Sequence, residues 1–204
     1  MNLNRVRRVV VAGWPSELQD RAALLAGIDQ SLFNGRVVLS VTGFSTDYSN
    51  LINFVSDASR PLGYYVNVAR AETSGLEVGG NIDVIPGWMK FNVAYTYLHA
   101  QDLGTDTVLA RRPKNFARFA LTITPTDKWM IEPRVTTVSK RFSSANQVGQ
   151  VDAYTRVDLY TEYKIDKNWK VFARGENILN EHYQEVFNFG TTGPAAYAGF
   201  NATW

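Results

Sequence analysis

The last nine residues of the chain alternate between apolar side chains and mostly small or polar ones. Counting back from the carboxy terminus in steps of two gives the apolar set Trp204, Ala202, Phe200, Ala198 and Ala196. A period of two is typical of a β-strand with one apolar face. The termini of soluble proteins usually fray and are polar, whereas a barrel must pair its last strand to close its sheet. The ending therefore favours a barrel of the outer-membrane type.

Eight further segments alternate in the same way and predict, with the last strand, an all-β antiparallel meander of about nine long strands. They are 22–30, 36–48, 64–83, 88–100, 114–124, 129–142, 152–164 and 169–178. Residues 1–21 show no clear period and form an unassigned amino-terminal segment, so the barrel region is 22–204. Pro133 lacks an amide proton and predicts a bulge or a weakly paired site in its strand.

Four features favour a membrane barrel over a water-soluble one. The predicted strands are long, ionic groups are spread along their polar faces, and short and long connections alternate, with a longer loop expected between about 49 and 63. In an outer-membrane barrel the apolar face meets lipid, the polar face meets a wet lumen, and the short turns are periplasmic. Aromatic residues near strand ends suit its interfacial girdles: Trp88, Tyr97, Trp129, Tyr154, Trp169 and Trp204.

The composition excludes several classes of function. The net charge is +2, from 21 Lys and Arg against 19 Asp and Glu, and gives no case for a nucleic-acid partner. The chain has no cysteine, so it forms neither a disulfide nor a thiolate metal site. His99 and His182 are too few for a histidine metal cluster. No apolar run approaches the roughly 20 residues that a spanning helix needs.

A catalytic role finds little support in the sequence. An outer-membrane phospholipase would need a Ser–His arrangement, and Ser139, Ser143 and Ser144 have no convincing histidine partner. Glu176 lacks a second nearby carboxylate of known geometry, so no hydrolase can be argued from it. We expect no enzymatic activity, no cofactor and no resident metal.

The amino-terminal residues and the number of predicted strands indicate whether the chain forms a whole barrel. Residues 1–8 are basic and an apolar stretch follows, but Gly13-Trp14-Pro15 interrupts it and no small-residue cleavage site stands in a convincing place. We therefore expect no working export signal. Nine is an odd number, whereas a closed bacterial single-chain barrel has an even number of strands. Together these observations predict a piece of a larger barrel whose amino-terminal part is missing.

Three stretches carry a resemblance to a known family. The segment 70–78 holds a Gly-x-Glu step after an Ala-x-Thr stretch, and 172–183 (Phe-Ala-Arg-Gly-Glu-Asn-Ile-Leu-Asn-Glu-His-Tyr) is similar to a penultimate-strand motif. The segment 184–194 resembles a last outer loop, with Pro194 where Arg is common. On these residues the chain resembles TonB-dependent outer-membrane receptors over roughly 16–204, and its closing loop looks most like those of cobalamin and siderophore receptors.

This resemblance implies the carboxy-terminal part of a transmembrane barrel, 22-stranded in the full family, with a plugged lumen. It implies uptake of a bulky, scarce small-molecule nutrient across the outer membrane of a Gram-negative bacterium. The TonB coupling protein would act only through a plug that these residues do not include. The resemblance also implies contact with outer-membrane lipid, and recognition by the barrel assembly machinery of a last strand that carries Tyr197, Phe200 and Trp204.

The loop Phe187–Pro194 is the best candidate for ligand contact, because aromatics and glycines on a long outer loop can adapt to a bulky solute. The candidates are Phe187, Phe189, Thr191 and Thr192, and ordinary loop packing is the competing interpretation. Charged residues on the polar faces of the last strands predict a solvated lumen wall with cross-strand ion pairs rather than a ligand site: Arg156, Asp158, Glu162, Arg174 and Glu176.

Two alternative functions stay open from the sequence. A passive porin-like or structural barrel would have the same strands without a plug or a nutrient ligand. A soluble β-sandwich binding module is disfavoured by the aromatic strand ends and by Trp204. As a lone sheet the chain would have two open edges and an exposed apolar face, so we expect it to aggregate without detergent.

Overall fold

The computed structural model describes the backbone of residues 5–11 and 20–203, and the side chains of 23–49, 52, 57–67 and 70–203. Its elements are all strands: β1 (Arg5–Val11), β2 (Asp20–Leu32), β3 (Val37–Asp57), β4 (Arg60–Ile85), β5 (Met89–Asp102), β6 (Thr107–Val108), β7 (Asn115–Thr126), β8 (Trp129–Val138), β9 (Arg141–Phe142), β10 (Gln150–Val151), β11 (Tyr154–Lys164), β12 (Trp169–Glu176) and β13 (Ala195–Ala202). Within these residues no helix is long and apolar enough to cross a membrane.

The main sheet is an antiparallel meander in which sequence neighbours pair. Its order is β1-β2-β3-β4-β5-β7-β8-β11-β12-β13, with β6 added to β5, while β9 and β10 form a small separate sheet. The all-β antiparallel meander expected from the sequence is confirmed, with one strand more than nine. The additional strand is β1, which lies within the unassigned segment and pairs with β2 from Arg5↔Asp29 to Val11↔Ala23. In the described residues β1 and β13 do not pair with each other, so the sheet is open.

The prediction of a longer loop between about 49 and 63 is wrong, because the chain there continues as a long hairpin. β3 and β4 have 21 and 26 residues and are joined by two residues only. The Asp57 carboxylate holds this tip by accepting hydrogen bonds from the Ser59 hydroxyl at 2.6 Å, the Arg60 amide at 2.9 Å and the Tyr64 hydroxyl at 3.0 Å. The bonds from Ser59 and Tyr64 lower the pKa of Asp57. Hydrogen bonds of polar side chains therefore close the turn, in a stretch where the weak alternation of the sequence did not indicate strands.

The sheet is curved, with its polar face on the inside. Directly paired residues of an antiparallel sheet share a face, and the register places Ser40, Gly79 and Ala94 on the same face as Arg118, Thr136 and Arg156. Residues of six strands, from β3 to β11, line one concave cavity of about 550 Å³ on this face. The opposite, convex face carries exposed apolar side chains along the sheet: Leu24, Ile28, Val41, Leu76, Leu159 and Val171.

An aromatic cluster lies on the convex face at the end of the sheet with the short turns. Trp129 and Trp169 begin their strands there, and the rings of Trp169 and Phe200 are 5.7 Å apart. Trp129, Trp169 and Phe200 are 44%, 45% and 66% exposed. Tyr154, also expected in a girdle, lies on the concave face with a buried side chain, because its neighbour in the chain, Thr155, takes the convex position.

The prediction for Pro133 is confirmed. Its pairing with Leu159 of β11 is kept, but the register of β7 and β8 passes from Ala120↔Arg134 to Ile123↔Ile131 with no pair at the proline. A residue without an amide proton cannot donate to the ladder on that side.

Two glycines on the concave face make room for aromatic rings. A Cβ on Gly199 would lie 2.7 Å from Cζ of Phe172, and one on Gly75 would lie 2.7 Å from Cζ of Phe44 and would also collide with the Tyr97 carbonyl oxygen. Each ring therefore lies over a glycine of the neighbouring strand, an arrangement that protects an otherwise bare backbone.

We expect Gly75→Ala to lower the free energy of unfolding by about 1–3 kcal/mol, because both the ring and the strand must shift. Gly43→Ala is the matched control, since the nearest atom to its added Cβ is the Ala26 carbonyl oxygen at 3.9 Å. The measurement is urea unfolding of both variants refolded in detergent. Equal midpoints for the two would contradict this account of Gly75.

Candidate functional site

The long loop 177–194 begins at a buried asparagine that closes its first turn. Asn177 is 2% exposed and has a positive φ of 51°, which asparagine tolerates better than most residues. Its side-chain amide donates to the Glu181 carbonyl at 2.9 Å, and its side-chain oxygen accepts from the Glu181 amide at 2.8 Å. The first five residues of the loop are thereby fixed as one unit.

Asp158 of β11 joins this turn to the wall of the sheet. One carboxylate oxygen accepts from the Asn177 amide at 2.8 Å, and the other accepts from the Arg156 guanidinium at 3.0 and 3.2 Å. Arg156 in turn donates to the Tyr183 hydroxyl at 3.1 Å. A charged pair on the strand therefore holds both the start and the middle of the loop.

Further contacts fix the middle of the loop. The Tyr183 ring lies 4.3 Å from the ring of Tyr154, centre to centre. The Arg141 guanidinium donates to the Glu185 carbonyl at 2.8 Å, and the Tyr183 carbonyl accepts from the Thr191 hydroxyl at 2.7 Å. These bonds define an anchor consisting of Asn177, Asp158, Arg156 and Tyr183, supported by its neighbours.

The anchored loop also packs against the preceding long loop, 139–153. The ring of Phe187 occupies the space beside Gly149, where an added Cβ would lie 2.8 Å from the ring. The Phe187 amide donates to the Ser143 hydroxyl at 3.4 Å. The two loops therefore meet at the end of the sheet opposite the aromatic cluster.

Between the two loops lies an open cleft of about 640 Å³, which we call the outer cleft. Its walls are built from amide, hydroxyl, carboxylate, imidazole and aromatic groups of both loops: Gln150, Asp152, Ala153, Asn180, Glu181, His182, Tyr183, Gln184, Phe187, Gly190, Thr191, Thr192 and Gly193.

The structure brings three of the four candidate contact residues together. Phe187, Thr191 and Thr192 line the outer cleft, whereas Phe189, 68% exposed, lies outside it. Thr191 uses its hydroxyl in the bond to Tyr183, so its first role is in loop structure. Thr192 keeps an exposed side chain at the rim.

The serines and histidines do not form a catalytic arrangement in the described part of the chain. The Ser139 hydroxyl accepts from the Asn115 amide at 2.9 Å, and Ser144 donates to the Val148 carbonyl at 2.8 Å. His99 is hydrogen-bonded to Gln101 at 3.0 Å. Among these same residues no group of three or more His, Cys, Asp or Glu could hold a metal ion.

Several charged residues of the concave face pair with one another. Three ion pairs join residues two apart on one strand: Arg134–Glu132, Arg156–Asp158 and Arg174–Glu176. Lys170–Glu162, at 3.1 Å, crosses between β12 and β11. The predicted ion-paired wall is present, but most of these pairs follow a strand instead of crossing between strands.

The residues expected in the assembly signal lie on different faces of β13. Tyr197 is paired with Arg174 on the concave face, and the guanidinium lies 4.7 Å from the centre of the ring. Phe200 is on the convex face beside Trp169. Trp204 lies outside the described residues, and the Thr203 amide donates to the Asn168 carbonyl in a short turn at 2.9 Å.

Sequence reasoning recognised the motif 172–183 but missed what it does in the fold. The motif supplies Asn177 and Tyr183 of the anchor, and Asp158 and Arg156 come from the preceding strand. A signal was available: an asparagine that directly follows a strand is suited to a positive φ and to turn closure.

Comparison with known families gives one match over most of the chain. The family model described as "TonB dependent receptor-like, beta-barrel" matches residues 25–178. The vitamin B12 transporter BtuB of Photobacterium profundum is 29% identical over 179 residues, which are 85% of this chain and 28% of that protein.

Solved structures share the fold. The copper transporter OprC superposes with a TM-score of 0.77 at 19% identity, over 91% of this chain and 31% of that one. The siderophore receptor PiuA from Acinetobacter baumannii superposes with a TM-score of 0.71 at 17% identity, over 90% of this chain and 28% of that one. The chain thus spans about a third or less of the length of these relatives.

We expect Asn177→Ala to loosen the loop 177–194 while leaving the strands in place, at a cost of about 2–4 kcal/mol from two lost hydrogen bonds and the strained φ. Asn180→Ala is the matched control, because Asn180 also has a positive φ, 55°, but an exposed side chain. Limited proteolysis measures the cleavage rate within the loop. Equal rates for the two variants would show that the Asn177 side chain does not hold the loop.

Proposed function

Because the chain belongs to the TonB-dependent receptor-like β-barrel family, we propose that it forms part of an outer-membrane receptor for a bulky, scarce nutrient such as cobalamin or a ferric siderophore. One observation carries the proposal: two long loops, one fixed to the sheet by the anchor and the other packed against it, line the outer cleft above a polar concave wall. A cleft with a few polar groups and aromatic walls is the usual form of a small-molecule site. Phe187, Thr191 and Thr192 are the proposed ligand contacts.

The convex face supports a location in the outer membrane of a Gram-negative bacterium. Its apolar side chains would meet lipid, and Trp129, Trp169 and Phe200 would lie at the interface on the periplasmic side. The outer cleft is at the opposite end and would face the medium. Exposure of such side chains to water is unfavourable, so lipid is the environment that fits them.

The partners of the whole receptor are proposals as well. The described residues hold the strands and loops of a barrel wall, so we propose that a TonB coupling protein acts through a plug domain and not through these residues. The last strand, with Tyr197, Phe200 and Trp204, is our candidate for recognition by the barrel assembly machinery. The relatives named above are transporters and a receptor, which supports uptake over a passive pore or an enzyme.

We expect Phe187→Ala and Thr192→Val each to weaken nutrient binding by roughly three- to tenfold, since each removes one contact in the outer cleft. Phe189→Ala is the matched control outside the cleft and should bind as the unaltered chain does. The measurement is tryptophan fluorescence of detergent-folded protein titrated with cyanocobalamin and with a ferric siderophore. Binding of neither compound by the unaltered chain would refute its proposed role as a binding unit.

We expect Leu159→Arg to destabilise the folded state in lipid vesicles by about 2–4 kcal/mol, because it places a charge on the lipid-facing side. Asn92→Arg puts the same side chain on the concave face, where water would solvate it, and should change stability little. Urea titration of both variants in vesicles measures the difference. A larger loss for Asn92→Arg would mean that the faces are assigned the wrong way round.

A further inference from the structure

We propose that the outer cleft selects an electroneutral or cationic ligand with amide groups on its surface and rejects polyanionic metal chelates. This inference rests on the proposed function, because it names the class of nutrient that the same cleft accepts. It follows from the charges and hydrogen-bonding groups that line the cleft.

The permanently charged side chains that line the cleft are all acidic. Two carboxylates, Asp152 and Glu181, line the cleft, and no lysine or arginine does so among the described residues. His182 is the one lining side chain able to gain a positive charge. A trianionic chelate seated here would meet negative charge with no fixed cation opposite, whereas polyanion sites in proteins present arginine or lysine.

Two arginines that contact the loop 177–194 are committed to bonds outside the cleft. Arg156 is paired with Asp158 and bonded to Tyr183, and it lines the cavity on the concave face, not the cleft. Arg141 donates to the Glu185 carbonyl at 2.8 Å. Turning either guanidinium into the cleft would break a bond that holds the loop, so the acidic character of the lining is built into the fold.

The carboxylates are held on an ordered frame. Glu181 is fixed through its backbone, because its amide and carbonyl both bond to the Asn177 side chain. One oxygen of Asp152 accepts from the Gln150 side-chain amide at 3.2 Å. In the described residues neither carboxylate forms an ion pair with Lys or Arg.

The remaining polar lining suits amide groups. Gln150 and Asn180 offer both donors and acceptors, Gln184 offers the donors of its side-chain amide, and Thr192 adds a hydroxyl. A primary amide needs a donor and an acceptor together, and side-chain amides supply both. The aromatic ring of Phe187 gives the cleft an apolar surface on which a flat ring system could lie.

The test compares two probes of different charge on the full 204-residue chain folded in detergent. Cyanocobalamin is electroneutral and bears peripheral amides, and ferric enterobactin is a trianionic tris-catecholate. We expect the first to bind at least about tenfold more tightly at low salt, a preference that shrinks as salt screens the carboxylates. Asp152→Asn and Glu181→Gln should each raise the affinity for ferric enterobactin by about tenfold.

Asp127→Asn is the matched control, since it removes the same charge in a short turn at the other end of the sheet. Equal or tighter binding of ferric enterobactin by the unaltered chain would overturn the charge selection while leaving the nutrient-receptor proposal intact. If Asp127→Asn raised the affinity for ferric enterobactin as much as Asp152→Asn does, the charge selection by the cleft would also be overturned, because the net charge of the chain alone would then explain the effect. If neither probe binds, the proposed function of the cleft fails and the inference falls with it.

Discussion

The whole arrangement depends on the pairing register of the antiparallel sheet. Side chains alternate between its faces, so a slip of one residue would turn the charged side chains of a strand towards the convex face and the apolar ones towards the concave face. The register keeps Arg118, Arg134 and Arg156 on the concave face across three strands. It also keeps Trp169 and Phe200 side by side on the convex one. The register shifts beside three of the turns, between Val55 and Asp57, between Asp83 and Ile85, and between Ile123 and Thr126.

That register also determines where the outer loops begin. Arg156 and Asp158 lie on the polar face of β11, near its first residue. They are beside the point where β12 ends and the long loop begins at Asn177. A pair of charges that would otherwise only line a wet wall thereby becomes the support of the outer cleft. The Arg156–Tyr183 bond joins the concave wall to the cleft. The strands and the outer cleft are thus one hydrogen-bonded system.

Much of the fold could be predicted from the sequence, because a period of two is visible residue by residue. The strands from 88 to 178, their faces and the weak point at Pro133 followed from it. The long hairpin did not, since Asn50, Ser56 and Asp57 weaken the alternation and the turn depends on local hydrogen bonds to one carboxylate. The outer cleft was located by its loop, but the anchor depends on contacts between residues 19 and 27 positions apart, which no local pattern shows.

The contrast between the concave wall and the outer cleft has a physical origin. On the wall, Arg134–Glu132 and Arg174–Glu176 each place a positive and a negative group two residues apart on one strand, so the two charges of each pair offset each other. In the cleft, the Asn177 side chain holds the Glu181 backbone without supplying a counter-charge. Under the proposed selection, a ligand bound in the cleft would exclude water from this carboxylate, and the interaction between the carboxylate and the charge of the ligand would then be stronger than in an open, water-filled cleft.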